Sequence, residues 1–267
     1  MVRSLTGRRI LITGASRGIG RCLAQQAAAE GARLVLTARS ADKLKEVEQT
    51  LAGPGREVVS VPADITLAVD RQRLLRTAEE RFGGLDVLIN NAGIGSFGHF
   101  ENSYEAVLRG VMEVNFFAPA ELIRLAIPVL RRGEQPAILN IASMCGRRGL
   151  PAWSEYSASK FALCGLTEAL RGEMVRFGID VLLVLPGLTA SEMGTHLLRN
   201  EGRMKIDFAT GMPPDRVAKT VLRALRRNWT ETIVGREAWQ ILLFNRFFPR
   251  LVDALMVRKV RSLYATG

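Results

Sequence analysis

The sequence predicts an α/β fold, a single doubly wound parallel-sheet domain with a helical extension at its C-terminus. Three observations predict it. Short β-rich apolar runs alternate with helix-length segments of mixed polarity from the start of the chain, the pattern of buried parallel strands joined by right-handed crossovers. A glycine-rich turn follows the first of those runs directly. The chain has 267 residues, of which 48% are hydrophobic and 24% charged, inside the globular range and long enough for a sizeable core.

In order, strands are expected at residues 10–13, 34–37, 58–61, 87–90, 138–141 and 181–185, with a short seventh near 232–234. Each is an aliphatic run too short for a helix and without the polar alternation of a half-exposed strand. The segments between them, at 18–30, 41–51, 68–82, 104–131 and 154–177, carry one apolar and one polar side and are expected as helices on both faces of the sheet. In such a fold ligands bind beyond the carboxyl ends of the strands. No low-complexity linker, charge block or internal repeat marks a domain boundary.

Composition narrows the class further. Cys22, Cys145 and Cys164 are an odd, sparse set without metal-ligand spacing, so neither a disulfide framework nor a metal site is expected. The first residues reach a glycine before any long apolar stretch, and no apolar run approaches about 18 residues. A soluble, cytoplasmic protein is expected. The net charge of +11 is uneven, since residues 216–261 alone carry a net +8. Such a segment suits a polyanion or an anionic surface.

The turn after the first strand reads TGASRGIG, residues 13–20. Gly14 permits a tight turn, Gly18 lets backbone approach a pyrophosphate, and Gly20 allows close helix packing, while free N–H groups at the helix start favour an anion. Where dinucleotide folds end the second strand with an acid for the adenosine ribose, this chain has Ala38 and Arg39. Arg39 and Arg17 offer guanidinium groups to a 2′-phosphate, which predicts NADP(H) over NAD(H). The other reading is two solvated arginines.

Farther on, SEYSASK places Tyr156 and Lys160 one helical turn apart. Bringing a phenol from its ordinary pKa near 10 to near 7 takes about 4 kcal/mol. A unit charge at about 4 Å and an effective dielectric of about 20 supplies roughly that. The pair would then exchange a proton near neutrality.

These motifs, with NNAG at 90–93, Asn115 in MEVNFFAP, Ser143 in NIASM and PG at 186–187, make the chain resemble the classical short-chain dehydrogenase/reductase family from Gly7 to about Val234. The resemblance implies a Rossmann-like domain over residues 1–235, a nicotinamide cofactor, and a tetrad of Asn115, Ser143, Tyr156 and Lys160. Ser143 would orient a carbonyl oxygen, Tyr156 would act as general acid/base, and Lys160 would hold the nicotinamide ribose. Asn115 would anchor a water linking the lysine to solvent, or would close a helix distortion before Pro119. Cofactor contacts would come from Gly14, Ser16, Arg17, Gly18, Ile19, Gly20, Arg39, Asp64, Ile65, Asn91, Ala92 and Gly93, from Tyr156 and Lys160, and from Pro186, Gly187 and Thr189. Asn90 would stand at the adenine-ribose wall. Asp64 is either an adenine contact or a helix cap. Thr189 occupies a place where the family more often has valine.

Between Ser191 and Pro213, Met193, His196, Leu197, Leu198 and Met204 stand where the family places its substrate lid, or else they cover their own core. Neither histidine is read as catalytic. Residues 236–267 combine aromatics with arginines and are expected as two short amphipathic helices broken at Pro249. That extension would pack over the pocket, meet another subunit, or touch a membrane peripherally. The reading is an NADP(H)-dependent interconversion of a ketone or aldehyde and an alcohol, on an apolar substrate of lipid, steroid or acyl type, by a homodimer or homotetramer without nucleic-acid partners. The alternative is a cofactor-sensing regulator or polyanion-binding protein on the same fold.

Overall fold

The computed structural model describes residues 2–202 and 207–264. Seven strands form one sheet: β1 (Arg9–Thr13), β2 (Arg33–Ala38), β3 (Val58–Pro62), β4 (Val87–Asn90), β5 (Ala137–Ile141), β6 (Asp180–Pro186) and β7 (Glu231–Val234). Their order is β3-β2-β1-β4-β5-β6-β7, and every neighbouring pair is parallel. The order reverses between β1 and β4, so a crevice opens there at the carboxyl edge. All residues of β4 and β5 are buried, as expected for strands covered on both faces.

Helices cover those faces. On one side α1 (Gly18–Ala29), α2 (Ala41–Leu51) and α7 (Pro214–Arg227) pack Leu23, Leu44 and Val221 against Ile12, Leu36 and Val184. On the other, α3 (Ala68–Phe82), α5 (Ala118–Leu130) and α6 (Ser154–Met174) pack Leu74, Leu122 and Leu170 against Leu11, Leu88 and Ile138. The remaining helices are α4 (Glu105–Met112), α8 (Arg236–Phe247) and α9 (Pro249–Tyr264). Among the described residues, no helix is long and apolar enough to cross a membrane.

Three departures from the sequence-based expectation have physical causes. The helix expected over 104–131 is split into α4 and α5 by a π-turn at Glu113–Phe117. Pro119 lacks the N–H that would bond back to Asn115, and the Asn115 side chain turns away to bond a neighbouring segment. Likewise α6 stops at Met174 and tightens into a 3₁₀ turn, Val175–Phe177, before Gly178 at φ +65°. Third, α7 is a core helix: Val217, Val221 and Leu225 are buried on one stripe, while Arg216, Lys219, Arg223, Arg226 and Arg227 occupy the rest. Much of the C-terminal charge excess is therefore the solvated side of a core helix. The extension proper keeps the remainder.

At the amino edge of the sheet, the early arginines act as clasps. Arg3 reaches Asp180 at 2.6 Å and Arg8 reaches Glu134 at 2.6 Å. Buried Asp86 receives the Arg9 guanidinium at 2.6 and 3.0 Å, together with the backbone N–H groups of Arg9 and Glu134. Those donors hold its carboxyl below the ordinary carboxylate range although burial acts against them. Its contribution to stability is thus present above the unfolded pKa of about 3.9 and lost as pH falls through the lower folded value. Asp86→Asn should cost about 2 kcal/mol in urea unfolding at neutral pH, and the gap to the native chain should close toward pH 3.

Candidate active site

Backbone shape comes first. Gly14 sits at φ +67°, and a methyl there would lie 2.9 Å from the Ala92 Cα; on Gly20 it would lie 2.1 Å from the Gly14 oxygen. Only hydrogen fits where α1 crosses the turn. No side chain caps α1, so its first N–H groups face the crevice unclaimed by a cap. The turn is braced against β4. Thr13 Oγ1 accepts from the backbone N–H of Asn91 and of Ala92, each at 3.0 Å, and Asn91 Nδ2 donates to the Thr13 and Gly14 oxygens at 2.9 and 3.1 Å. Asn90 does not reach the crevice. It is buried in the sheet and donates to Asn140 Oδ1 at 2.8 Å.

From this turn a cavity of about 340 Å³ runs along the carboxyl edge to Tyr156. Of the residues expected to bind or react, Gly14, Ser16, Arg17, Gly18, Ile19, Arg39, Asp64, Ile65, Asn91, Ala92, Gly93, Ser143, Tyr156, Lys160, Pro186, Gly187 and Thr189 all line it. Gly20 and Asn115 stand behind the wall. At the far end, Asp64 Oδ1 accepts from the Thr66 N–H and hydroxyl at 2.9 and 2.8 Å, an Asx turn ahead of α3 and not the expected helix cap, since α3 starts after Leu67 without a side-chain cap. The Ile65 carbonyl is taken by Arg71, and the Thr189 hydroxyl donates to the Gly187 oxygen at 3.1 Å. Arg17 lies 3.6 Å from Glu192, which Lys43 also approaches at 3.3 Å. Lys43 and Arg17 hold the Glu192 carboxyl below its ordinary range. Arg39 makes no ion pair among the described residues. Glu192 is not legible from local pattern, because it reaches Arg17 from a distant segment.

At the reacting end, three elements converge. Ser143 follows β5 and accepts from the Cys145 N–H at 3.1 Å. Tyr156 and Lys160 share one face of α6, with the Lys160 Nζ 5.7 Å from the Tyr156 ring centre and donating to the Ile141 oxygen at 3.3 Å. Asn115 Oδ1 accepts from the Ile94 N–H at 2.9 Å, while its Nδ2 donates to the Ile94 oxygen and to Ser159 Oγ. It stands close to the amine: a methyl on Gly93 would lie 3.1 Å from Asn115 Oδ1 and 3.4 Å from Lys160 Nζ. Both of its expected roles are therefore compatible with one geometry.

Burial dominates the electrostatics here. It pushes the Tyr156 hydroxyl above its ordinary value, outweighing the lowering by the Ser143 hydroxyl. It also pushes the Lys160 ammonium down to about 8. The expected depression of the phenol by the lysine is thus not produced by the chain alone, because desolvation is the larger effect. The arrangement holds a neutral phenol beside an amine that titrates near neutrality.

Beyond Tyr156 the cavity is apolar. Trp153 packs edge-on to Tyr156 at 5.3 Å and also meets Phe97 and Phe208. Leu150, Met144, Met193 and His196 complete this end. His196 Nδ1 contacts Thr195 Oγ1 at 2.7 Å and the Glu192 oxygen at 2.9 Å. Leu197 packs on the aromatic cluster, Leu198 is exposed, and Met204 lies outside the described residues. Trp153 and Phe208 escape the sequence reading. No local pattern joins them; only the fold does.

The short chain dehydrogenase family matches residues 8–202 of the chain. Among curated proteins, the ketoacyl reductase HetN of Nostoc sp. is 34% identical over 233 residues, 87% of this chain and 80% of that protein. A short chain dehydrogenase/reductase of Burkholderia phymatum, solved in complex with NAD, superposes with a TM-score of 0.85 at 26% identity, covering 93% of this chain and 96% of that one. An alcohol dehydrogenase of the archaeon Thermococcus sibiricus, complexed with 5-hydroxy-NADP, gives 0.75 at 26% identity over 85% of this chain and 95% of that one.

Proposed function

This chain belongs to the short chain dehydrogenase family, and on that premise we propose that it is an NADP(H)-dependent oxidoreductase interconverting an apolar ketone or aldehyde with its alcohol. The observation that carries the reading is the meeting of Ser143, Tyr156 and Lys160 in the cavity that begins at the glycine turn. The cradle at Gly14 and Gly20 and the uncapped start of α1 fit a dinucleotide pyrophosphate. When bound in its reduced form, the nicotinamide supplies a hydride to the carbonyl carbon.

The chain's own residues manage the oxygen and its proton. In reduction the neutral Tyr156 hydroxyl gives its proton to the carbonyl oxygen, and the Ser143 hydroxyl donates a second hydrogen bond to that oxygen. The phenolate left behind is buried, and the Lys160 ammonium stabilises it. Lys160 would also hold the nicotinamide ribose. A water held by Asn115 beside the amine returns the proton from solvent, and oxidation runs the same transfers backward. Trp153, Leu150, Met193 and Phe208 favour an apolar substrate of lipid, steroid or acyl type, since they exclude water from the reacting carbon.

Preference for the phosphorylated cofactor rests chiefly on Arg39. Arg17 already faces Glu192, whereas Arg39 lines the cavity with no acid on the end of β2. Residues 1–235 form the catalytic and dinucleotide-binding unit, to which residues from 236 onward add an amphipathic extension. Exposed Phe117 and Phe161, on the π-turn and α6, suit subunit contacts in a homodimer or homotetramer. The location proposed is cytoplasmic.

A carbonyl panel followed at the nicotinamide absorbance tests the reaction. Tyr156→Phe should lower turnover about a thousandfold while leaving the thermal shift caused by NADPH unchanged; retained turnover would remove Tyr156 from the chemistry. Arg39→Asp should reduce the ratio of kcat/KM for NADPH over NADH by at least about tenfold, from loss of a charge-assisted contact of about 1.5 kcal/mol or more. An unaltered ratio would place discrimination elsewhere.

A further inference from the structure

The two C-terminal helices present a surface that the reaction does not use. On its inner side, α8 closes the aromatic end of the site: Ala238 is buried there, and Ile241 and Leu242 pack on the cluster containing Trp153 and Tyr156. Its outer side faces away. With α9 it forms an open apolar groove of about 570 Å³, lined by Trp239, Phe244, Phe247, Phe248, Leu255 and Met256. Trp239, Phe247 and Phe248 are 52%, 65% and 54% exposed. A contiguous exposed patch of this kind marks an interaction surface.

The two helices are also cationic. Arg246, Arg250, Arg258, Lys259 and Arg261 are all exposed, and none takes part in an ion pair among the described residues. The acid on α9, Asp253, is already paired with Arg148 of the α/β body. That charge discriminates among occupants. A second copy related by a two-fold axis would set the same cations against one another, whereas an anionic surface would attract them. Aromatic and aliphatic side chains beside guanidinium groups, on helices unable to span a bilayer, are the make-up of an interfacial helix.

We propose that α8 and α9 seat this protein on an anionic lipid surface, with Trp239, Phe247 and Leu255 in the boundary between headgroups and acyl chains and the arginines at phosphate level. Ile241 both packs on the site's aromatic cluster and lines the groove, so the lipid would lie one side-chain layer from that cluster. The docking does not depend on the reaction assigned above, and its test needs no turnover.

Flotation of the full chain with vesicles of phosphatidylcholine and phosphatidylserine, against phosphatidylcholine alone, provides that test. The native chain should float with the anionic vesicles only and should be released by high salt. The triple variant R246Q/R250Q/R258Q should bind about a hundredfold more weakly, from about 1 kcal/mol per cation. The variant W239S/F247S should stay at the bottom of the gradient with its melting temperature unchanged, because both side chains are more than half exposed in the native fold. Failure of the native chain to float, or undiminished flotation of either variant, would overturn the proposal. So would retention on an acidic polypeptide without flotation, which would assign the surface to an acidic protein. Loss of self-association in W239S/F247S with flotation intact would assign it to a second copy.

Discussion

Desolvation of the tyrosine–lysine pair on α6 governs the whole site. Both groups are buried, and burial favours the uncharged form of each, raising the phenol and bringing the ammonium down to about 8. A phenol in this state keeps its proton at neutral pH but gives it up less readily than a free phenol, so the charge that appears when it donates must be met from nearby. Lys160 is placed to meet it because the Ile141 oxygen holds its amine at the carboxyl end of β5. Asn115 fixes the neighbouring Ile94 backbone, so the wall beside the amine cannot drift. The π-turn is the local cost of that arrangement.

The rest of the fold brings a second partner to the same place. Reversal of strand order between β1 and β4 opens the crevice, and the Thr13 and Asn91 hydrogen bonds join the ends of those two strands. With the turn braced in this way, the start of α1 and the reacting end of α6 line opposite parts of one cavity.

Much of this was legible in the sequence because it is carried by short-range pattern. The strands appear where aliphatic runs lie between helix-length segments, and Tyr156 and Lys160 share a face because they are four residues apart. What escaped depends on contacts between distant segments. The turn at Glu113–Phe117 follows from Asn115 bonding Ile94, and α7 is masked in the sequence because its five cations blend into a charged tail around the stripe of Val217, Val221 and Leu225. Glu192 beside Arg17, and Trp153 against Phe208, meet only in three dimensions. The direction of the tyrosine's shift is hidden for the same reason, since spacing reveals a neighbouring cation but not the depth of burial.

The pH dependence of kcat/KM for the reduced cofactor bears most directly on this account, because it reports groups of the free protein. With Lys160 brought down to about 8, the rate constant should fall as pH rises through that value, as the amine loses the charge proposed to hold the ribose and support the phenolate. In Lys160→Arg, whose guanidinium stays charged throughout, the falling limb should disappear from the range even if the overall rate is lower. A limb that persists unchanged in that variant would show that another group titrates there, and would contradict the role given to the buried pair.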